Sequence, residues 1–237
     1  MKAYIIDITK CNGCYNCQLA CKDEHVGNDW TPIAKPQPDT GQFWTKVEDL
    51  VRGTVPKVKV NYMHHMCQHC DNAPCEIVCP VNATTHSPDG LNQMAYNRCV
   101  GTRYCSNNCP FKVRRFNFFD YTSMKREPEI LAFNPEVTVR PRGVMEKCTF
   151  CIQRIQDVRQ RANVERRSVR DGEITPACAV ACPSEAIVFG DLNDPQSRVA
   201  RLAKADRGYK LLRDLGIKPS VTYLADIANP ATGEGHA

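Results

Sequence analysis

The sequence lacks any long apolar stretch. None of its runs approaches the ~20 residues needed to cross a bilayer, so no membrane span is expected in these 237 residues. The opening MKAYIIDITKC has one Lys, a very short apolar run and no small-residue cleavage site, which argues against a secretory signal. The expectation is a chain made in the cytoplasm that leaves, if at all, with an exported partner. Charge of one sign is also scarce. A net charge of +5, spread along the chain, is too weak to point to nucleic acid. There is no nucleophile–base pair, no phosphate loop and no flavin motif, so nothing points to bond chemistry of the chain's own.

What the chain has instead is cysteine, 15 in all. They fall into four groups. The first is Cys11, Cys14, Cys17 and Cys21, spaced C-x2-C-x2-C-x3-C. The second is Cys67, Cys70, Cys75 and Cys79, followed by Pro80. The third is Cys99, Cys105 and Cys109, followed by Pro110. The fourth is Cys148 and Cys151, then, after an insertion, Cys178 and Cys182, followed by Pro183. The third group matches the bacterial ferredoxin run except at Thr102, where a cysteine is expected. In two-cluster modules of that kind the last Cys of each run serves the other run's cluster. A disulfide framework fits neither the odd count nor such dense runs, nor the missing secretory signal. Zinc sites use two cysteine pairs separated by a longer loop and do not fit these runs.

Sixteen thiolates would hold four 4Fe–4S clusters. Soft, charged sulfur ligands suit an iron–sulfide core. The fifteen present, with Thr102 at the gap, predict three 4Fe–4S clusters and one 3Fe–4S cluster, the latter held by Cys99 and Cys105 and lacking one iron corner. Gly13 suits a loop pressed against inorganic sulfide, since it has no Cβ. His64, His65, His69 and His86 read as residues behind the ligands or on the surface, because thiolates are already abundant.

The remaining sequence frames these groups. Residues 3–8 read as a short buried strand. Residues 22–60 read as a long loop with Trp30, Phe43 and Trp44 among Pro32, Pro36 and Pro38, closed by a strand-like segment at 55–62. The aromatics suit packing over a small core, with a partner-contact surface as the sharper reading. Residues 111–121 read as an aromatic-rich strand, and S-P-D-G-L at 87–91 as a turn. The insertion at 152–170 reads as a helix. Its Arg154, Arg159, Arg161, Arg166, Arg167 and Arg170 outnumber Asp157 and Glu165, which suits a solvated face or a docking patch. Asp194 and Pro195 read as N-cap and first residue of a helix. One or two short helices up to Gly216, a strand at 221–224 and a frayed tail at 229–237 complete the chain.

At its four cysteine groups the chain resembles the four-cluster iron–sulfur subunits of the complex iron–sulfur molybdoenzyme family, which includes polysulfide, DMSO and tetrathionate reductases. The resemblance covers roughly residues 1–227. The segments C-V-G-T-R-Y-C-S-N-N-C-P-F-K-V-R-R-F-N-F, R-G-V-M-E-K-C-T-F-C and F-G-D-L-N-D-P are similar to the iron–sulfur parts of alternative complex III and of menaquinone reductase complexes. The segment N-Y-M-H-H-M-C-Q-H-C-D-N-A-P-C is similar to the small subunit of pyrogallol–phloroglucinol transhydroxylase.

The family's ligand pairing, carried onto matching positions, implies four sets. Cys11, Cys14, Cys17 and Cys182 would hold one cluster, and Cys21, Cys148, Cys151 and Cys178 the next. Cys67, Cys70, Cys75 and Cys109 would hold the third, and Cys79, Cys99 and Cys105 the fourth, beside Thr102. The clusters would run in line, the first nearest a large catalytic subunit and the Thr102 cluster nearest the membrane and quinone.

The resulting expectation is an α+β chain of two ferredoxin-like double-cluster modules with loop-rich insertions. Residues 1–30 with 140–192 form one module. Residues 60–122 form the second, inserted in the first. Residues 31–59 and 123–139 are connectors, and 193–237 are a C-terminal helical extension and tail. The function implied is non-catalytic electron transfer between a large molybdopterin-type subunit and a polytopic, quinone-interacting membrane subunit, with a multihaem cytochrome as a further partner in the menaquinone-reductase type. The chain would sit peripherally on the cytoplasmic membrane. The rival is the small iron–sulfur subunit of a soluble molybdenum hydroxylase or transhydroxylase. A structural or assembly protein is the third reading.

Overall fold

The computed structural model describes residues 1–25, 43–118, 120, 131 and 133–227. Trp30, the prolines at 32, 36 and 38, most of the 123–139 connector and the 229–237 tail lie outside the described residues.

The central element is β1 (Lys2–Asp7), with all six residues buried. Its apolar run has polar neighbours only at its ends, as a strand covered on both faces requires. It lies inside a four-stranded sheet with β8 (Ile187–Asp191), β9 (Gly208–Tyr209) and β10 (Val221–Leu224), ordered β8-β1-β10-β9. β1 runs antiparallel to β8, with Tyr4 opposite Phe189, and parallel to β10, with Tyr4 opposite Val221. Tyr4, Phe150 and Phe189 pack ring to ring, with centroids 4.6 Å and 4.8 Å from Tyr4. Burying Ile5 and Ile6 contributes about 1.5–3 kcal/mol each. The strand expected at 221–224 is therefore a neighbour of the central strand, and the C-terminal region is sheet as much as helix. Its helical parts are α6 (Arg198–Leu202) and one 3-10 turn at Arg213–Leu215, which ends at Gly216 with φ 66°.

Short helices carry the cysteines. They are α1 (Asn16–Glu24), α2 (Pro74–Ile77), α3 (Tyr104–Asn108) and α5 (Ala177–Val180). Each holds the cysteine at the third ligand position of its group, namely Cys17, Cys75, Cys105 (after the Thr102 gap) and Cys178. The residue two after each group's first cysteine takes a left-handed backbone: Gly13 at φ 70°, His69 at 44°, Gly101 at 73° and Phe150 at 57°. The repeat seen in the sequence is thus also a repeat of backbone shape. Glycine meets that conformation without strain; His69 and Phe150 adopt it as buried side chains stacked on one another, centroids 3.6 Å apart.

Three two-stranded ladders complete the sheet structure: β2 (Lys46–Thr54) with β3 (Lys57–His65), β4 (Thr84–His86) with β5 (Asn92–Met94), and β6 (Arg115–Phe116) with β7 (Met145–Glu146). The β2–β3 hairpin replaces the loop expected through residue 54. The prolines that suggest a loop all precede residue 39, and a nine-residue register from Lys46↔His65 to Thr54↔Lys57 follows them. The strand expected over 111–121 contracts to β6, because its partner β7 is itself only two residues long. Asp194 caps a turn, not a helix: its Oδ1 accepts from Gln196 N at 2.9 Å, while Ser197 Oγ accepts from Ala200 N at 3.1 Å and opens α6.

Helix α4 (Ile152–Val164) occupies the arginine-rich insertion, with Ile155, Val158 and Ala162 buried. Its arginines serve the fold. Arg154 makes two 2.7 Å bonds to Glu24, and Arg159 pairs with Asp89 in the S-P-D-G turn. Arg161 pairs with Asp157, and Arg167 with Glu165 and Glu173. Trp44 is buried, donates to Glu146 Oε2 at 2.7 Å and stacks on His25, which supports the packing reading over the contact-surface one at that residue.

Candidate iron–sulfur centres

None of the fifteen cysteines is paired in a disulfide. Three cavities bring most of them together. One is lined by Cys11, Cys14, Cys17 and Cys182, with Ile6, Val47, His64 and Ile187 around them. A second is lined by Cys67, Cys70, Cys75 and Cys109, with Ala73, Phe111, Val113 and Arg114. A third is lined by Cys79, Cys99 and Cys105, with Thr102 on the same wall. In each, the last cysteine of one run stands with three positions of another. The remaining four, Cys21, Cys148, Cys151 and Cys178, are buried close enough to raise one another's thiol pKa.

The electrostatics explain what such a group requires. Burial, then the neighbouring thiols, pushes Cys17 up to about 12. Burial also raises Cys178 to about 11, against the hydrogen bond with Tyr4. Four bare thiolates in a dry pocket repel one another, so the anionic form needs a cationic centre among them. Thiol-only donor sets of this kind suit iron–sulfur cores. Backbone N–H groups also point at sulfur. Ala83 N donates to Cys79 Sγ at 3.1 Å and Ala186 N to Cys182 Sγ at 3.3 Å, at matching places four residues after each cysteine. Met145 N donates to Cys99 Sγ at 3.4 Å. Such bonds tune cluster potential.

The histidines divide. His69 is fully buried; its Nδ1 accepts from Asn92 N at 3.1 Å and its Nε2 donates to Cys148 O at 2.9 Å. His86 bonds Cys70 O at 2.7 Å and pairs with Glu76. Both lie behind the thiols, as expected. His64 is buried against the Cys11 cavity with neither ring nitrogen partnered among the described residues. His65 bonds Glu48 near the base of the hairpin. Gly13 faces not a sulfur but the Tyr62 ring, which a Cβ there would meet at 2.6 Å.

Several residues escaped sequence reasoning. Tyr4 OH lies 3.5 Å from Cys178 Sγ, and His25 Nδ1 lies 3.8 Å from Cys21 Sγ. Arg114 reaches Cys75 Sγ at 3.1 Å, and Lys147 reaches the carbonyls of Asn92 and Cys148. None belongs to a cysteine motif. Arg114 stands five residues after Cys109, His25 four after Cys21 and Lys147 directly before Cys148, whereas Tyr4 has no such positional signal.

Comparison with known proteins decides the family. Residues 58–127 match the 4Fe-4S dicluster domain. The iron-sulfur cluster-binding subunit of menaquinone reductase from Nitratidesulfovibrio vulgaris is 41% identical over 93% of this chain and 87% of its own length. This chain belongs to the iron–sulfur subunits of molybdoenzyme-type complexes. The arsenate respiratory reductase iron-sulfur subunit of Shewanella sp. is 34% identical, covering 93% of this chain and 94% of the relative. The Hdr-like menaquinol oxidoreductase iron-sulfur subunit 1 of Archaeoglobus fulgidus is 32% identical, over 93% and 82%. As a member of this family the chain is an electron-transfer subunit carrying iron–sulfur clusters.

Proposed function

We propose that the chain holds three 4Fe–4S clusters and one 3Fe–4S cluster and relays electrons between a large molybdopterin-type subunit and a quinone-interacting membrane subunit. The supporting observation is the cross-pairing of runs: Cys182 lines the cavity of Cys11, Cys14 and Cys17, while Cys109 lines that of Cys67, Cys70 and Cys75. Cys21, Cys148, Cys151 and Cys178 make the second ligand set on this reading, and Cys79, Cys99 and Cys105 the fourth. Thr102 lines that fourth cavity where a thiol would complete the set. The first and second sets, with β1 and β8, then form one ferredoxin-like module. The third and fourth form the other, inserted in it.

When bound, such clusters supply one-electron transfer. The chain's residues hold them at fixed spacing, exclude water with Ile6, Val47, Phe111 and Val113, and set potentials through N–H···S bonds. Two relatives named for menaquinone or menaquinol favour the quinone-linked reading over the soluble transhydroxylase. No helix among the described residues is long and apolar enough to cross a membrane, so attachment would be peripheral, through a partner.

Purification of the native complex in mild detergent, with subunit identification and iron analysis, tests this. A large molybdopterin-type chain together with a multi-span membrane chain is the expected result. A two-subunit complex without a membrane chain overturns the quinone role.

A further inference from the structure

Among the described residues, three cations near the thiols are at most 2% exposed: Arg114, Arg140 and Lys147. Arg140 is answered by Glu146 at 3.3 Å. Lys147 lies at the boundary of the two halves, on backbone carbonyls. Arg114 has no carboxylate partner among the described residues. Its Nη1 donates to Thr84 Oγ1 at 3.1 Å and Met94 Sδ at 3.2 Å. Its Nη2 donates to Cys75 Sγ at 3.1 Å and Asn92 Oδ1 at 2.9 Å. Thr84 and Met94 line the Cys79–Cys99–Cys105 cavity; Cys75 and Asn92 line the Cys67–Cys70–Cys75–Cys109 cavity. The guanidinium therefore stands in the partition between two cavities, with a hand toward each.

A buried, unanswered guanidinium costs several kcal/mol, so the fold retains it only beside compensating negative charge. The available anions are the thiolate groups on either side. In the first half no arginine among the described residues donates to a thiol; Lys147 stands on Cys148 O and Arg154 on Glu24. Five residues after Cys182 stands Ile187, as Arg114 stands five after Cys109. The first-half thiols have hydroxyls and an imidazole within reach: Tyr4 at Cys178, Ser184 at Cys182 and His25 at Cys21.

We propose that Arg114 is a positioning residue that holds a fixed positive charge between the two centres of the second half, raises the reduction potential of both, and so collects electrons in that half. The inference rests on the cluster reading above. Each reduction adds one electron, hence one negative charge, in a site shielded from water. A cation a few ångströms away stabilises the reduced form far more there than in solvent. No bond forms and no proton moves, since a guanidinium stays protonated throughout.

The test is redox titration of the whole complex, followed by electron paramagnetic resonance, for wild type, Arg114→Gln and Arg114→Lys. At a fixed potential, Arg114→Gln should lower the reduced-to-oxidised ratio of both second-half centres about tenfold, or about 59 mV for a one-electron couple, while the first-half centres move less than about twofold. Arg114→Lys keeps the charge and should stay within about threefold of wild type. Unmoved second-half centres in Arg114→Gln, or first-half centres that move as much, overturn the proposal. If Arg114→Gln does not retain iron, Arg114→Lys decides alone: a ratio within about threefold supports the proposal, and a tenfold fall with the charge kept overturns it. Wild-type complex lacking the two second-half couples would instead overturn the cluster reading, and this inference with it.

Discussion

On the proposed two-module reading, the two halves repeat the same cysteine loop on different supports. In the first, Cys11 follows β1, and Cys182 precedes β8, so the thiols are anchored to a four-stranded sheet with an aromatic core. In the second, the β4–β5 and β6–β7 ladders are two or three residues long, and buried polar bonds do the anchoring: Arg114 to Thr84 and Asn92, His69 to Cys148 O, Ser220 Oγ to His69 O. Apolar packing surrounds the first set of thiols, with Lys147 and Arg154 at its margin. Polar anchoring leaves charge beside the second. The same loop can thus sit in two electrostatic settings, which is how one repeated motif can serve centres of different potential.

That contrast can be broken at the glycines that match across the repeat. A Cβ at Gly101 would meet Gly143 O at 2.1 Å, a backbone atom, whereas at Gly13 it meets the Tyr62 ring at 2.6 Å. Both glycines have positive φ. Gly101→Ala should therefore destabilise by about 3 kcal/mol or more and release iron from the second half first. Gly13→Ala should cost less, because a ring at the hairpin base can swing aside. Thermal unfolding with iron release as a second readout separates them; equal losses would show that the supports do not differ in rigidity.

Thr102→Cys sharpens the comparison at the fourth cavity. It should supply the missing thiolate, convert the centre to 4Fe–4S, lower its potential and slow quinone-linked turnover. An unchanged spectrum of the oxidised protein would mean that Thr102 does not stand at the ligand gap.

The smallest effect concerns the first half's outer seam. Arg154 holds the Glu24 carboxyl below the usual carboxylate range by hydrogen bonding, against the raising effect of burial. A carboxylate whose pKa is lower folded than unfolded stabilises fully above its unfolded value, and this stability is lost as pH falls through that value toward the folded one. Glu24→Gln should cost about 1–2 kcal/mol near pH 7 and progressively less on acidification below pH ~4. Denaturant midpoints measured across that range check it; a cost independent of pH would assign the seam to packing alone.

Much of the candidate site could be read from spacing. The four cysteine groups, the gap at Thr102, the buried strand before Cys11 and the turn at 87–91 are all local patterns. The β2–β3 hairpin was harder to read, because nearby prolines outweighed a register that only its partner strand reveals. The Asp194 turn was misread because Asp-Pro is also a common helix opening.

By itself, then, the sequence determined the thiol groups and their chemistry, because ligand spacing is a property of neighbouring residues. Only the tertiary structure decided which charges stand beside them. Tyr4 and Arg114 come from segments distant from Cys178 and Cys75, and each approaches its thiol because burial and hydrogen bonding put it there, whereas His25 and Lys147 are sequence neighbours of Cys21 and Cys148.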